Sequence, residues 1–357
     1  MMRMTVLASG SKGNSAVVSS SGTRILVDAG LSCRELMRRM AMVGENPETL
    51  DAILITHEHA DHVAGLPVLA RKFGIPVYFT EATHRAWVRQ VTPQKRTTYA
   101  QWLEQRKAEM ALRDEELVRS YAANACGAPN EAPDEHFFVP SAESMSEGSS
   151  EADKASEEHN AVKLAAAAAE DLCDEADAPA VKKSVKDNPS YLPVVEYFRA
   201  GSHLAIGDID ILPFTIPHDA ADPCGFVFEA EGIRLGFATD LGYVPQNVKM
   251  ALKNCDALLL ESNHDLEMLR DGPYPWSVKQ RVLSRVGHLS NTATAEFLTR
   301  DYDGGAAYVI LAHLSESNNL PEMARLAAEQ AIGDRLSLLG NKILLAQQAE
   351  PMQPLCL

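Results

Sequence analysis

The stretch ILITHEHADHVAGL, residues 53–66, packs His57, His59, Asp61 and His62 into six positions directly behind an apolar, β-branched run. Imidazoles and a carboxylate offered together suit zinc, manganese or iron. A strand end fixes the direction of the backbone, so the short loop after it can turn several side chains towards one point. Four such groups do not complete a catalytic centre, and the rest of the chain supplies more at comparable places. His218 follows the apolar run of FTIPHDA, Asp240 that of LGFATDLG and His313 that of VILAHLS. Singly, each could be an ordinary hydrogen-bonding residue at a strand end. Their shared position at carboxyl ends of strands makes them a set, and the chemistry such a set supports is metal-assisted hydrolysis.

The elements that must hold these residues are legible from periodicity. TVLAS, SAVVSS and RILVDAG are short apolar runs with Gly- and Ser-rich turns between them, the signature of an antiparallel start. LSCRELMRRMAMVG has helical spacing and stops at Gly44; AILIT (52–56) reads as a buried strand; HVAGLPVLARKF reads as one helix with Asp61 placed to cap it. IPVYFT is a further strand and ATHRAWVRQV a further helix. Beyond residue 190, PVVEYFRAGSHLAIGDIDILPFTIPH brings strands with a turn at Gly207–Asp208, and CGFVFEAEGIRLGFATDLG a hairpin through EAEG. DALLLES and AAYVILAHLS are strands that end in polar residues. Strand–helix alternation on both sides of residues 101–190 points to one α/β domain, split into 1–100 and 191–357.

The intervening stretch differs in kind. Between Gln101 and Ser190 there are 20 Asp and Glu against 9 Lys and Arg, a net of −11 out of a chain total of −16. Its middle, roughly 126–188, includes SAESMSEGSSEADKASEEHN and an Ala-rich acidic run, and has too little apolar surface to offset the entropy of ordering. It is expected to be a disordered or loosely helical insertion. An overall charge of −16 excludes a general polycation, so any nucleic-acid binding must come from a local patch or from metal ions. There is no run of about 18 apolar residues to span a membrane. The opening MMRMTVLASG turns polar too soon for a secretory signal. Six cysteines, Cys33, Cys126, Cys173, Cys224, Cys255 and Cys356, are scattered without a C-x-x-C pair and read as reduced thiols of a cytoplasmic protein.

H-x-H-x-D-H followed by His, Asp and His resembles the metallo-β-lactamase fold in its nuclease and phosphodiesterase branch. The segments LASGSKGNS, PHDAADPCGF, ATDLGYV, ESNHD, GHLSN and AHLSESNN resemble, in order, those of the WalJ/YycJ group of bacterial metal-dependent exonucleases. The resemblance covers 1 to about 90 and 190 to 340 and implies a four-layer αββα sandwich with the site along one edge. It implies two divalent ions, zinc or manganese. His57, His59 and His218 would hold the first, Asp61, His62 and His313 the second, and Asp240 would bridge them. Two cations so placed share a water and lower its pKa towards roughly 7, for attack on phosphorus. Asp61 is also placed to orient the nucleophile.

His288 in GHLSN is either a structural histidine at a helix start or, as the resemblance implies, a donor to the phosphate or general acid for the leaving group. SGSKGNS (9–15) is either a tight turn or, through Ser11 and Asn14, a phosphate cradle with Lys12 as its one cation. Asn263 and His264 are expected beside the site. The implied activity is a DNA exonuclease, 5′ to 3′, in the cytoplasm, with nucleic acid as its partner and no membrane. A small-molecule, cyclic or linear, phosphodiesterase and an RNA-processing nuclease are the alternatives. Metal identity, protein partners and oligomeric state are open at this level.

Overall fold

The computed structural model describes residues 1–92, 188–333 and 341–357, with isolated helical positions 103, 104, 106, 107 and 110. The chain divides into two units, Met1–Thr92 with Glu158–Leu357, and Pro93–Glu157. The acidic stretch 101–190, including the segment expected to be disordered, falls almost wholly outside the described residues.

Strands β1 (Arg3–Ala8), β2 (Ser15–Ser19) and β3 (Arg24–Val27) form an antiparallel meander. To it β4 (Ala52–Leu54), β5 (Val77–Thr80) and β6 (Val195–Phe198) add in parallel. The second sheet starts with the antiparallel strands β7 (Leu204–Ile206), β8 (Ile209–Thr215), β9 (Cys224–Ala230) and β10 (Ile233–Ala238). Parallel strands β11 (Ala257–Glu261), β12 (Tyr308–Ala312) and β13 (Lys342–Leu345) extend it. The last strand, β14 (Leu355–Cys356), returns to the first sheet beside β1. The hairpin between β9 and β10 turns at Glu231 (φ 53°) and Gly232 (φ 78°), a two-residue left-handed turn that matches the strand twist.

The central strands are apolar on both faces, which is why they read as runs rather than alternations. Met4, Val6, Ile25, Val27 and Leu54 point inwards against Phe226, Phe228, Leu259 and Ile310 of the second sheet. The residues between them point outwards under helices, at period two. Leu7, Leu26 and Ile53 meet α1 (Cys33–Met42), α3 (Leu66–Phe73) and α4 (Glu81–Val91) through Leu36, Met40, Leu69 and Trp87. Leu258, Leu260, Val309 and Leu311 meet α5 (Gln246–Ala251), α8 (Asn291–Arg300) and α9 (Pro321–Ile332), with the short helices α6 (Leu266–Asp271) and α7 (Trp276–Val282) lying between α5 and α8 in the chain. The arrangement is the expected four layers, helix, sheet, sheet, helix. Full burial of each such side chain contributes about 1.5–3 kcal/mol. None of the described helices is long and apolar enough to cross a membrane.

One expected element differs. HVAGLPVLARKF is two helices, α2 (Ala60–Val63) and α3, parted at Ala64–Gly65, and Asp61 lies inside the first turn of α2 with His59 at the cap position. Gly65 sits hard against the neighbouring loop: a Cβ there would lie 2.1 Å from Leu31 O. Pro67 stands in the first turn of the second helix, where its missing N–H costs nothing. Because α2 starts at Ala60, Asp61 is not at its cap, and its side chain turns into the site.

Candidate metal centre

β8, β10, β11 and β12 run in one direction, so their carboxyl ends share an edge, and the loops after β3 and β4 reach the same place. Cys224 N donating to Thr56 O at 3.1 Å ties β9 of one sheet to the loop after β4 of the other. Three residues directly behind strands adopt left-handed backbone: Asp28 (φ 59°) after β3, Asp240 (φ 62°) after β10 and His313 (φ 56°) after β12. Each costs of order 1 kcal/mol or more, and such strain gathers at functional positions where surrounding structure imposes it. Here it turns a polar side chain back over the end of its own strand.

The seven sequence-predicted ligands come together. His57 Nε2 lies 3.1 Å from His59 Nδ1, which is 3.3 Å from His218 Nε2. A tetrahedral ion with bonds of about 2.0–2.1 Å spaces its nitrogens by about 3.3–3.4 Å, so this trio has the separation a single ion needs. Beside it, His62 Nε2 is 3.5 Å from Asp61 Oδ2, and His313 Nε2 is 3.7 Å from the same oxygen. Asp240 lies between the groups: Oδ2 is 3.5 Å from His62 Nε2, while Oδ1 is 4.0 Å from His218 Nε2 and 3.3 Å from His313 Nδ1. Asp240 Oδ2 and His313 Nε2 are buried without a hydrogen-bond partner. A buried, unpaired acceptor is costly unless something else satisfies it, and a cation would.

The other ring nitrogens are occupied in the manner that fixes a metal-binding tautomer. His62 Nδ1 faces Asp28 Oδ2 at 2.8 Å, His57 Nδ1 faces Thr56 Oγ1 at 3.0 Å, and His218 Nδ1 faces Gly287 O at 3.2 Å. His313 Nδ1 faces Glu261 Oε1 at 3.0 Å, leaving Nε2 for a ligand. The electrostatics fit a cation equally well. Burial alone would lower His62, but the carboxylates of Asp240, Asp28 and Asp61 outweigh it and raise the imidazole to about 9. His313 likewise ends well above the usual histidine range, through Asp240, Asp61 and Glu261 against burial. Asp240, despite burial, is held well below the carboxylate range by His313, His62 and His57. His57 and His218 go the other way, kept neutral chiefly by burial. The buried carboxylates thus demand positive charge, and a divalent ion would supply it at the ligand atoms in place of the protons on His62 and His313.

His288 is part of this cluster. Its Nδ1 is 2.8 Å from Glu261 Oε1 and 3.8 Å from Asp240 Oδ1, and the side chain is partly exposed. Asn14 is placed otherwise than a phosphate cradle requires. It is buried, Oδ1 accepts from Gly10 N at 2.8 Å, and Nδ2 points to Asp61 Oδ2 at 3.2 Å and His62 Nε2 at 3.1 Å. Ser11 is exposed at the tip of the same turn, and Lys12 pairs with Glu316 at 2.5 Å. Asn263 stands beside the site, donating from Nδ2 to His313 O at 2.7 Å. His264 is buried with both ring nitrogens unpartnered. Burial pushes the Cys224 thiol up to about 12, in keeping with a non-ligand. His84 lies away from the cluster, bonded to Tyr197 Oη.

Three supporting residues escaped the sequence reading. Asp28 accepts from Thr56 N at 2.9 Å and Thr56 Oγ1 at 2.8 Å besides facing His62. Glu261 holds both His288 and His313, and its Oε2 accepts from Leu241 N at 2.5 Å, next to Asp240. Glu58 Oε1 accepts from Ala221 N at 2.8 Å and steadies the loop that carries His218. Asp28 and Glu261 carried the signal used for the ligands, an acidic residue at the end of an apolar strand.

Two family models match the chain: the metallo-beta-lactamase superfamily over residues 9–117 and a beta-lactamase superfamily domain over 154–314. The exodeoxyribonuclease WalJ of Streptococcus pneumoniae is 31% identical over 329 residues, spanning 91% of this chain and 86% of that one. The exodeoxyribonuclease YycJ of Bacillus anthracis is 29% identical over 334 residues, spanning 94% and 90%. Among solved structures, the metallo-beta-lactamase fold protein YhfI from Bacillus subtilis superposes with a TM-score of 0.54 at 13% identity, covering 99% of this chain and all of that one, a likeness of fold.

Proposed function

The chain belongs to the metallo-β-lactamase superfamily, and from that membership we propose that it is a two-metal phosphodiesterase that removes nucleotides from an end of DNA. The observation that carries this is the paired convergence of His57, His59 and His218 beside Asp61, His62 and His313, with Asp240 between, in a chain related along nine-tenths of its length to proteins named exodeoxyribonucleases. His57, His59 and His218 would hold one divalent ion, Asp61, His62 and His313 the other, and Asp240 would bridge. Zinc or manganese suits this mix of nitrogen and oxygen donors. Two ions so held would make a bound water acidic enough to ionise near neutrality and would neutralise charge on the phosphoryl oxygens.

The protein's own groups do the rest. Asp61, the most exposed of the ligand carboxylates, accepts a hydrogen bond from the attacking water and sets its direction. Glu261 fixes His288 through Nδ1, which leaves Nε2 to donate to a phosphoryl oxygen or to the departing 3′ oxygen. Asn14 holds Asp61 and His62 in place rather than reaching the substrate. Residues 101–190 form an acidic insertion within a domain made of 1–100 and 191–357. The polarity is 5′ to 3′, and the protein works in the cytoplasm.

The test is a time course on end-labelled linear and closed circular DNA, with metal content measured beside it. The reading expects two metal equivalents and shortening of the linear form alone. Asp61→Ala should abolish activity, and Asp240→Ala should lower occupancy of both ions. Hydrolysis of a chromogenic small diester, with neither DNA form degraded under zinc or manganese, would overturn it in favour of a small-molecule phosphodiesterase.

A further inference from the structure

Beside the metal centre one surface segment departs from the acidic character of the chain. Residues 272–287 contain Lys279, Arg281 and Arg285 and no Asp or Glu, within a protein of net charge −16. The segment comprises α7 (Trp276–Val282) and the turns on either side of it. Its backbone is fastened to the site. His288 N donates to Val282 O at 3.0 Å, Asp219 N to Val286 O at 3.1 Å, and Gly287 O faces His218 Nδ1 at 3.2 Å. Arg281 Nε donates to Asp219 Oδ2 at 2.5 Å, and Oδ1 of that carboxylate is 3.4 Å from His218 Nε2. A guanidinium therefore stands one side chain away from a proposed metal ligand.

Aromatic surface accompanies the cations. Trp276 opens α7 with 67% of its surface exposed, although tryptophan is on average highly buried. Arg285 lies over the ring of half-exposed Tyr243, 4.5 Å from its centroid. Leu283 is exposed on the same segment. An apolar face alone would suit a protein partner, but three cations on a segment with no acid of its own, interleaved with aromatic faces, suit a polyanion with stacking bases. We propose that residues 272–287 are the track for a single nucleic-acid strand beyond the scissile phosphate, with Trp276 stacking on a base and Lys279 and Arg285 facing its phosphates. The inference rests on the nuclease reading and adds the surface that gives it a polymer substrate.

The experiment uses the full-length, metal-loaded protein. Initial rates on 5′-labelled single-stranded DNA give KM and kcat, and anisotropy with a cleavage-resistant phosphorothioate strand gives affinity from low to high salt. Trp276→Ala should weaken binding and raise KM by about five- to 150-fold, the range for one stacked base, with kcat nearly unaltered. Trp276→Phe should restore most of the affinity. The pair Lys279→Ala and Arg285→Ala should flatten the slope of log K against log salt by about 1.4, roughly 0.7 for each phosphate left without its cation. A parent that degrades DNA, with variants of the same KM and the same salt slope, would overturn the track and leave the nuclease reading standing. The track would fall equally if Trp276→Ala changed only the sedimentation coefficient, since the face would then cover a second copy. A parent that cleaves only a small diester would sink the nuclease reading and the track together.

Discussion

Asp28→Asn separates the metal's own requirements from the protonation of its ligands. The carboxylate is buried, 2.8 Å from His62 Nδ1, and accepts from Thr56 N and Thr56 Oγ1. Asparagine keeps the shape, loses the charge and presents an N–H₂ group to one of these donors. Loss of such a carboxylate behind a ligating imidazole typically costs 10–100-fold in metal affinity, roughly 1.4–2.7 kcal/mol. A second effect opposes it. With His62 raised to about 9, a metal binding at pH 7 must displace a proton held about two units above ambient pH, a penalty of roughly 2.7 kcal/mol. Asp28 is one of three carboxylates responsible, behind Asp240 and ahead of Asp61, so removing it relieves part of that penalty. The two effects partly cancel at pH 7, and only the first survives near pH 9. Zinc affinity measured by competition with a fluorescent chelator should therefore show the full 10–100-fold loss near pH 9, shrinking towards pH 7. A loss of the same size at both pH values, or none at pH 9, would refute the reasoning.

The same protons govern the metal-free protein. His62 and His313 have folded pKa values above their unfolded ones, so the stability they contribute is complete below about 6.5 and is lost as pH rises through the folded values, about 9 for His62. The melting temperature of chelator-treated protein should fall between pH 6.5 and 9 more than that of the metal-loaded form, and parallel curves would contradict the assignment. His288→Ala should lower kcat by 10²-fold or more while plasma emission spectroscopy finds the parental metal content. Loss of metal in that variant would make the residue a ligand instead. Gly30→Ala should lower stability by about 1–3 kcal/mol and loosen metal binding, because a Cβ there would lie 1.7 Å from Asp61 O and 2.6 Å from Asn14 N. Denaturant unfolding with parental values would show that the loop yields more easily than its packing suggests.

The strands and the convergence of the seven proposed ligands were legible because both depend on local pattern. Apolar runs bounded by turn residues mark strands, and a ligand directly behind such a run points where the strand delivers it. The supporting residues were harder for the same reason. Asp28 ends RILV as Asp240 ends GFAT, yet the first looks like part of a hairpin until β4 is seen beside β3 and His62 above it. Glu261 is hidden within ESNHD, where its role depends on His288 and His313, each more than 25 positions away. Asp61 reads as a helix cap when the apolar spacing starts the helix at His62; the helix in fact starts at Ala60, two residues ahead of that spacing, where no local pattern marks it. Asn14 looked available to substrate because a Gly- and Ser-rich turn does not reveal which way its one amide points. Trp276 and its cations stood out only when exposure could be seen.

The division of the proposed ligands between Met1–Thr92 and the later part of the chain also sets an order in time. His57, His59, Asp61 and His62 leave the ribosome before His313, which follows His62 by roughly 250 residues, about 13–50 s at 5–20 residues per second. During that interval the nascent chain displays a cluster of imidazoles with no Asp240 to bridge them and no second sheet to cover Met4, Val6 and Leu54. Productive metallation therefore waits until β12 docks beside β11 and carries His313 to its place. A cell short of the proper ion at that moment would release a chain that has folded around two imidazolium protons.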